Sequence, residues 1–383
     1  MVSPLVDSRE DVLSRAQALA DEVAPQAGHF DREEALPREV IQRMADEGFL
    51  GAMVPQAFGG LGLDPLEYGD LTEIIGKACS STRALLTVHA SLVAETLVKR
   101  GSDELKAKYL PDLASGRKLA CFALSEPQVG SDASSVRTTY RREGDSYVIN
   151  GRKKWISFAG IADLFLVIAS DEGAVTAFIV ERSMDGVSTH PMTGLLGSRA
   201  AHIAEVEFRN VVVPAENVVS RVGVGFSFVA NTALYYGRYS IAWAGVAIAQ
   251  AALDLMCTYA TVREQFGQRI GSYQLVQGLV ADSVVKVSAA RELCRRAGRL
   301  RQENDMDAVM ETNVAKYFAS TAARDVTDAA VQVLGGNGCW NEYPAERLFR
   351  EAKVLEIIEG TSQMQQIMIA NYGFKKFGRR TRG

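Results

Sequence analysis

Apolar positions recur at two different periods along this chain, and the period changes twice. From Val6 to about Arg117 the spacing is helical. Val12, Ala16, Leu19 and Val23 fall three or four residues apart, on one helix face. A second helix is predicted to open after Pro37, with Val40, Ile41 and Met44 on one side. Proline suits a first turn, where its missing N–H has no partner to lose. Met53 to Pro65 is rich in glycine and proline and reads as a loop. Further helices are predicted over 66–78, 83–99 and 103–113.

From about Lys118 to Arg221 the helical period is lost. Leu164–Ala169, Val175–Val180 and Ala204–Phe208 are apolar or β-branched runs between turn residues. Asp145–Ser157 reads as a hairpin with Asn150-Gly151 as its turn, since Asn-Gly accepts the two positive φ angles of type I′. About ten strands are expected in this stretch. After Gly225 helical spacing returns, with helices predicted over 226–260, 272–303, 307–334 and 345–358, and a last one from Thr361 to about Phe374. Helices beyond 25 residues point to a bundle. The pattern predicts a mainly α chain around a central β part: an N-terminal helical domain at 1–117, a β domain at 118–222 and a helical bundle at 223–383. The two helical parts are expected to pack together.

Composition narrows the class. Of 383 residues, 47% are hydrophobic and 23% charged, the mix of a globular protein rather than a disordered or fibrous one. Forty-two basic against 46 acidic residues leave −4, which gives no pull toward nucleic acid or anionic lipid. The five cysteines are odd in number and far apart, and the four histidines lack ligand spacing. Neither a disulfide framework nor a metal site is expected, and a reducing cytoplasm fits. No signal-peptide pattern follows Met1-Val2-Ser3-Pro4, and the basic tail Lys375–Arg380 reads as solvated. Val222–Leu253 carries one charge, Arg238, but is broken by Gly, Ser, Asn and Gln, so it reads as a buried helix rather than a membrane span.

Three residues stand out for chemistry. Glu359 follows two isoleucines and precedes Gly360, a helix terminator, and Thr361 or Ser362, caps for the next helix. A carboxylate partly desolvated there would have a raised pKa, as a general base needs. Local sequence alone favours the alternative, a solvent-facing or amide-capping glutamate. Arg238 needs an anionic or hydrogen-bonding partner: a substrate group, Glu359, or a helix end. His89, in an apolar helix, reads as a satisfied core histidine. Phosphate loops of the GxxxxGK[ST] or GxGxxG type are absent from the sequence.

Five ordered segments resemble the acyl-CoA dehydrogenase flavoprotein family, over about residues 8–375. They are Phe122-Ala123-Leu124-Ser125-Glu126-Pro127-Gln128-Val129-Gly130-Ser131-Asp132; Asn150-Gly151-Arg152-Lys153-Lys154-Trp155-Ile156-Ser157; Arg263-Glu264-Gln265-Phe266-Gly267 with Gln274; Gln332-Val333-Leu334-Gly335-Gly336-Asn337-Gly338; and Ile358-Glu359-Gly360-Thr361-Ser362-Gln363. The resemblance implies N-terminal helices, a central β-barrel and a C-terminal four-helix bundle, with FAD as cofactor in a homo-oligomer, dimer or tetramer. It implies that Phe122, Leu124, Ser125, Trp155 and Ser157 contact the flavin. Arg263, Phe266 and Gln274 would hold the adenosine and pyrophosphate end. Gln332 and Gly336 would reach FAD across a subunit interface, and Thr361 and Gln363 would also touch it. Ser131, Arg238 and Gly360 would meet the substrate.

Glu359 matches the family's base, which overrides the local reading. It would remove the α-proton of an acyl thioester while hydride leaves the β-carbon for flavin N5. An electron-transfer flavoprotein or oxygen would accept the electrons.

Within the family, Cys79–Arg83, Tyr236–Trp243 and Glu356–Gly360 resemble a narrower group. These dehydrogenases act on short acyl groups tethered to acyl carrier protein, in hydroxymalonyl and methoxymalonyl extender-unit biosynthesis. Tyr235 stands where many relatives carry an aspartate that touches the pantetheine arm, and Ile358 replaces the commoner tyrosine. The leading expectation is therefore an acyl thioester on acyl carrier protein. The alternatives are a short-chain acyl-CoA dehydrogenase of catabolism, a flavin monooxygenase on the same fold, and a helical interaction protein without catalysis.

Overall fold

Residues 9–378 are described by a computed structural model. The predicted helix start at Val6, the Met1–Pro4 segment and the tail residues Arg379 and Arg380 lie outside them. Contacts divide the chain into two units, Met1–Gly237 and Arg238–Gly383.

The first unit opens with helices α1 (Arg9–Val23), α2 (Ala27–Glu33), α3 (Arg38–Asp46) and α4 (Pro65–Ala78). The stripe Val12, Ala16, Leu19 and Val23 is buried, as its spacing demands. Asp64 caps α4 in a capping box with Glu67, which fixes where the glycine-rich loop ends. The single helix expected over 83–99 is a composite. α5 (Ser80–Leu85) and α6 (Glu95–Arg100) flank a π-helical run, Leu86–Ala94, in which all nine residues are buried. A wider helix rotates its side chains off the 3.6 period, so periodicity could not reveal it. α7 (Asp103–Ala114) follows, capped by Ser102.

Eight strands follow: β1 (Ala120–Ala123), β2 (Thr139–Glu143), β3 (Ser146–Ile156), β4 (Leu164–Asp171), β5 (Ala174–Glu181), β6 (Val187–Pro191), β7 (Ala204–Pro214) and β8 (Val218–Val219). Their order is β6-β7-β3-β2-β4-β5-β8, with β1 paired in parallel to β4. The path therefore has two ends, and no pairing among the described strands closes it into the expected barrel. The β2–β3 hairpin turns at Gly144, φ 57°, and Asn150-Gly151 lies inside β3. The expected type I′ turn there is corrected. Gly151 is needed because a Cβ would meet Thr138 at 2.6 Å, and the β3–β7 register shifts beside it.

α8 (Asn231–Val262) is preceded by a π-helical turn, Gly225–Ala230. The Gly225–Val262 run is long and apolar enough to cross a membrane, but 67% of its most apolar window is buried inside the protein. The second unit adds α9 (Gln274–Gln302), α10 (Ala308–Leu334), α11 (Pro344–Leu355) and α12 (Ser362–Phe377). Its core joins Ile241, Ile248 and Met256 of α8 to Val287 of α9, Val326 of α10, and Leu348 and Leu355 of α11. Gly245 lets α8 approach α10, since a Cβ there would meet the Ala319 carbonyl carbon at 2.7 Å.

Candidate active site

In the second unit, Glu359 sits on the link between α11 and α12. α11 stops at Leu355, three residues earlier than its periodicity predicts. Glu359 (φ 55°) and Gly360 (φ 90°) then take left-handed conformations in succession. The reversal suits Gly360, where a Cβ would meet Gln365 Nε2 at 2.9 Å, and costs about 1 kcal/mol or more at a glutamate. Thr361 caps α12 by accepting from Met364 N at 3.3 Å, as its side chain predicts.

Three donors hold this turn by its carbonyls. Arg238 Nε donates to Glu359 O at 3.0 Å, and Lys316 Nζ to Gly360 O at 2.8 Å. Gln365 Nε2 reaches both, at 3.3 and 3.2 Å. Burial pushes Arg238 below its ordinary value, partly offset by the charge of Glu359. Lys316 is fully buried, which pushes it down to about 8, again with Glu359 offsetting. The surroundings of Glu359 are thus cationic, where the sequence suggested an apolar setting.

Sequence reasoning missed Lys316. The available signal is its position: Thr312, Ala315, Lys316, Ala319 and Ala323 form one buried stripe of α10. A lone cation on such a stripe needs a partner.

A cleft of about 350 Å³ opens in the same unit between the end of α8 and the end of α10. It brings Arg263 and Gly336 together with Tyr259, Gln265, Ile270, Val333 and Asn337. The two-residue strands β9 (Glu264–Gln265) and β10 (Gln268–Arg269) form a hairpin with Phe266-Gly267 at its tip, φ 53° and 79°. These are the signs of a type I′ turn, and they leave Phe266 96% exposed. Gln274, Gln332 and Gln363 are exposed as well and do not line the cleft. An arginine, an aromatic wall, and Gly335 and Gly336 with open space where a side chain would project fit a dinucleotide's phosphates and base.

In the first unit, Phe122 lies in β1 and Leu124 just beyond it, both buried; Ser125 and Ser157 are half-buried and Ser131 is exposed. β3 bulges between Lys153 and Ile156, and the bulge turns Trp155 (φ 64°) outward, 54% exposed. A bulky residue in that conformation is strained, which is common where a side chain is displayed for a ligand. Lys154 N bonds Ser125 O at 2.9 Å, tying this bulge to the Leu124–Ser125 segment.

Beneath them lies an ion pair that the sequence hid inside a charge run. Lys153 Nζ meets Glu126 Oε1 at 2.7 Å, Ile168 O at 2.7 Å and Leu124 O at 3.1 Å. Glu126 also accepts from Arg137 N and Thr138 N. Burial raises the Glu126 carboxyl, but Lys153 and these N–H donors outweigh it and hold it below its ordinary value.

His89 is the satisfied core histidine expected. Its Nδ1 accepts from Ala120 N at 3.0 Å, so Nε2 carries the proton and donates to Leu113 O at 3.0 Å.

Likeness to known proteins runs along most of the chain. Residues 8–117, 121–211 and 223–373 match the N-terminal, middle and C-terminal domains described for acyl-CoA dehydrogenase. The chain is 36% identical to the short-chain specific acyl-CoA dehydrogenase of Clostridium acetobutylicum over 360 residues, 93% of this chain and 94% of that one. The structure of butyryl-CoA dehydrogenase from Megasphaera elsdenii superposes with a TM-score of 0.92 at 32% identity, covering 97% of this chain and 99% of that one. FkbI, for biosynthesis of the methoxymalonyl extender unit of the Fk520 polyketide, superposes with a TM-score of 0.88 at 34% identity, covering 94% and 99%. The chain belongs to the acyl-CoA dehydrogenase family and is an FAD-dependent oxidoreductase.

Proposed function

We propose that this enzyme oxidises a short acyl thioester between its α and β carbons, with Glu359 as the base. The observation that carries the reading is the Glu359–Gly360 turn, held in a left-handed conformation beside the buried Lys316 and the half-buried Arg238. A base must be ionised before it can accept a proton, and neighbouring cations favour that form. The Glu359 N–H would polarise the thioester carbonyl, which would acidify the α-proton that the carboxylate removes. Bound FAD supplies the acceptor for the hydrogen that leaves the β-carbon with its electron pair. An electron-transfer flavoprotein suits the onward step.

Identity to short-chain specific acyl-CoA dehydrogenases supports CoA as the carrier, better than it supports the acyl carrier protein favoured by local sequence. The carrier-protein reading stands second, supported by Tyr235 and by the likeness to FkbI. An anaerobic titration separates them: the oxidised-flavin band is followed as one butyryl group is added on CoA or on acyl carrier protein. Bleaching by the CoA ester is expected, and bleaching only by the carrier-protein form reverses the order. Glu359→Gln should keep its flavin and lose about 10³-fold in the rate of flavin reduction. A variant that still bleaches at the parent rate removes Glu359 from the role.

A further inference from the structure

Lys316 raises a question of economy. A fully buried ammonium costs several kcal/mol of desolvation unless its surroundings compensate. Its hydrogen bond to Gly360 O does not require a charge, because Gln365 serves the same carbonyl with a neutral amide. A second cation, Arg238, does for Glu359 O what Lys316 does for Gly360 O, from a different helix. Two consecutive carbonyls, those of Glu359 and Gly360, are therefore each held by a cation, and the first belongs to the residue that carries the carboxylate.

Arg238 comes from α8 and Lys316 from α10. Glu356 directly follows α11, but it is already paired with Arg324 at 3.0 Å and Lys353 at 2.9 Å. α12 presents the uncharged Gln365 and Met368, and Arg238 also reaches Asn313 Oδ1 at 3.4 Å. Glu359 is thus the acidic group of this turn whose charge the two cations share, and each is stabilised by it.

We propose that Lys316 is a positioning residue for the reaction: with Arg238 it clamps the left-handed turn and favours the ionised carboxylate of Glu359 before proton abstraction. Its hydrogen bond fixes the direction in which Glu359 leaves the turn, and its charge sets the pH at which Glu359 is ready. This inference rests on Glu359 being the base.

The test uses the flavin-loaded full-length protein and a butyryl thioester on whichever carrier bleaches the flavin. Lys316→Met removes both hydrogen bond and charge, Lys316→Gln keeps a donor without charge, and Lys316→Arg keeps the charge. Flavin content, melting temperature, exchange of the substrate α-hydrogen with deuterated solvent, and flavin reduction against pH are measured for each. Lys316→Met and Lys316→Gln should both move the acid limb of the reduction profile up by about one pH unit. They should slow exchange tenfold or more at pH 6.5 with KM little changed, while Lys316→Arg restores the limb.

Flavin content and melting temperature should hold, since Gln365 still donates to the Gly360 carbonyl and Arg238 to that of Glu359. A parent-like limb in Lys316→Gln overturns the proposal, as does loss of flavin and stability in Lys316→Met with an unmoved limb in the other two. Glu359→Gln distinguishes the two failures. If it exchanges and reduces normally, the base assignment fails; if it is inactive while the Lys316 limbs stay put, only the clamp fails.

Discussion

Single residues here show how burial acts on charge in opposite senses. His89 has one donor and one acceptor, both on the main chain, so the fold wants it neutral. Burial pushes it from 6.5 to about 4, with the Leu113 carbonyl and Asp163 offsetting in part. The unfolded chain takes up a proton as pH falls through 6.5, whereas the folded chain refuses it until about pH 4. Stability should therefore decline across that window and not above it. At about 1.4 kcal/mol per unit the full difference is about 3.5 kcal/mol. Denaturant midpoints from pH 7.5 to 4.5 measure the slope, and His89→Gln should remove that part of it. His89 was legible because one polar residue in an apolar run must find partners. Glu359 was legible only through its motif, because the cations that distinguish it come from α8 and α10.

At the scale of elements, periodicity located the helices of the second unit to within a few residues, since their stripes face one core. It failed at two kinds of place. The π-helical run at Leu86–Ala94 is buried on every side, so no polar face marks its winding. Asn150-Gly151 carries the residues of a turn but serves a close approach to Thr138. β3 gives a direct test of what supports the displayed Trp155. Lys153 ties β3 to β4 and to the Glu126 loop. Lys153→Met leaves Glu126 buried without its cation and should cost about 3 kcal/mol or more. Adding Glu126→Gln should recover over half of that loss, read from the melting curves of the single and double variants. Equal stability of the two would show that the pair is not what the loop depends on.

Over the whole molecule, the described residues leave several large apolar side chains in solvent. In the second unit Val262, Phe266, Leu275 and Val285 are exposed, with Leu275 at 89%. The homo-oligomer that the resemblance implies would cover these side chains, since an apolar patch shared between copies favours association. Sedimentation of the flavin-loaded protein at micromolar concentration should show a dimer or tetramer, and Leu275→Glu should shift it toward smaller species. A monomer throughout would contradict this expectation.

The sequence by itself determined the order of helical and β segments, the turn at Gly360, the cap at Thr361 and the motifs that mark the family. All of these are written in neighbours a few residues apart, where backbone preference and side-chain period act directly. Only the tertiary structure decided that Lys316 and Arg238 converge on the Glu359–Gly360 turn, that Lys153 is buried against Glu126, and that Trp155 is turned out by a bulge. Those facts depend on the desolvation and pairing of charges far apart in the chain, or on a register shift. Local sequence carries no record of which distant group will be there to compensate a buried charge.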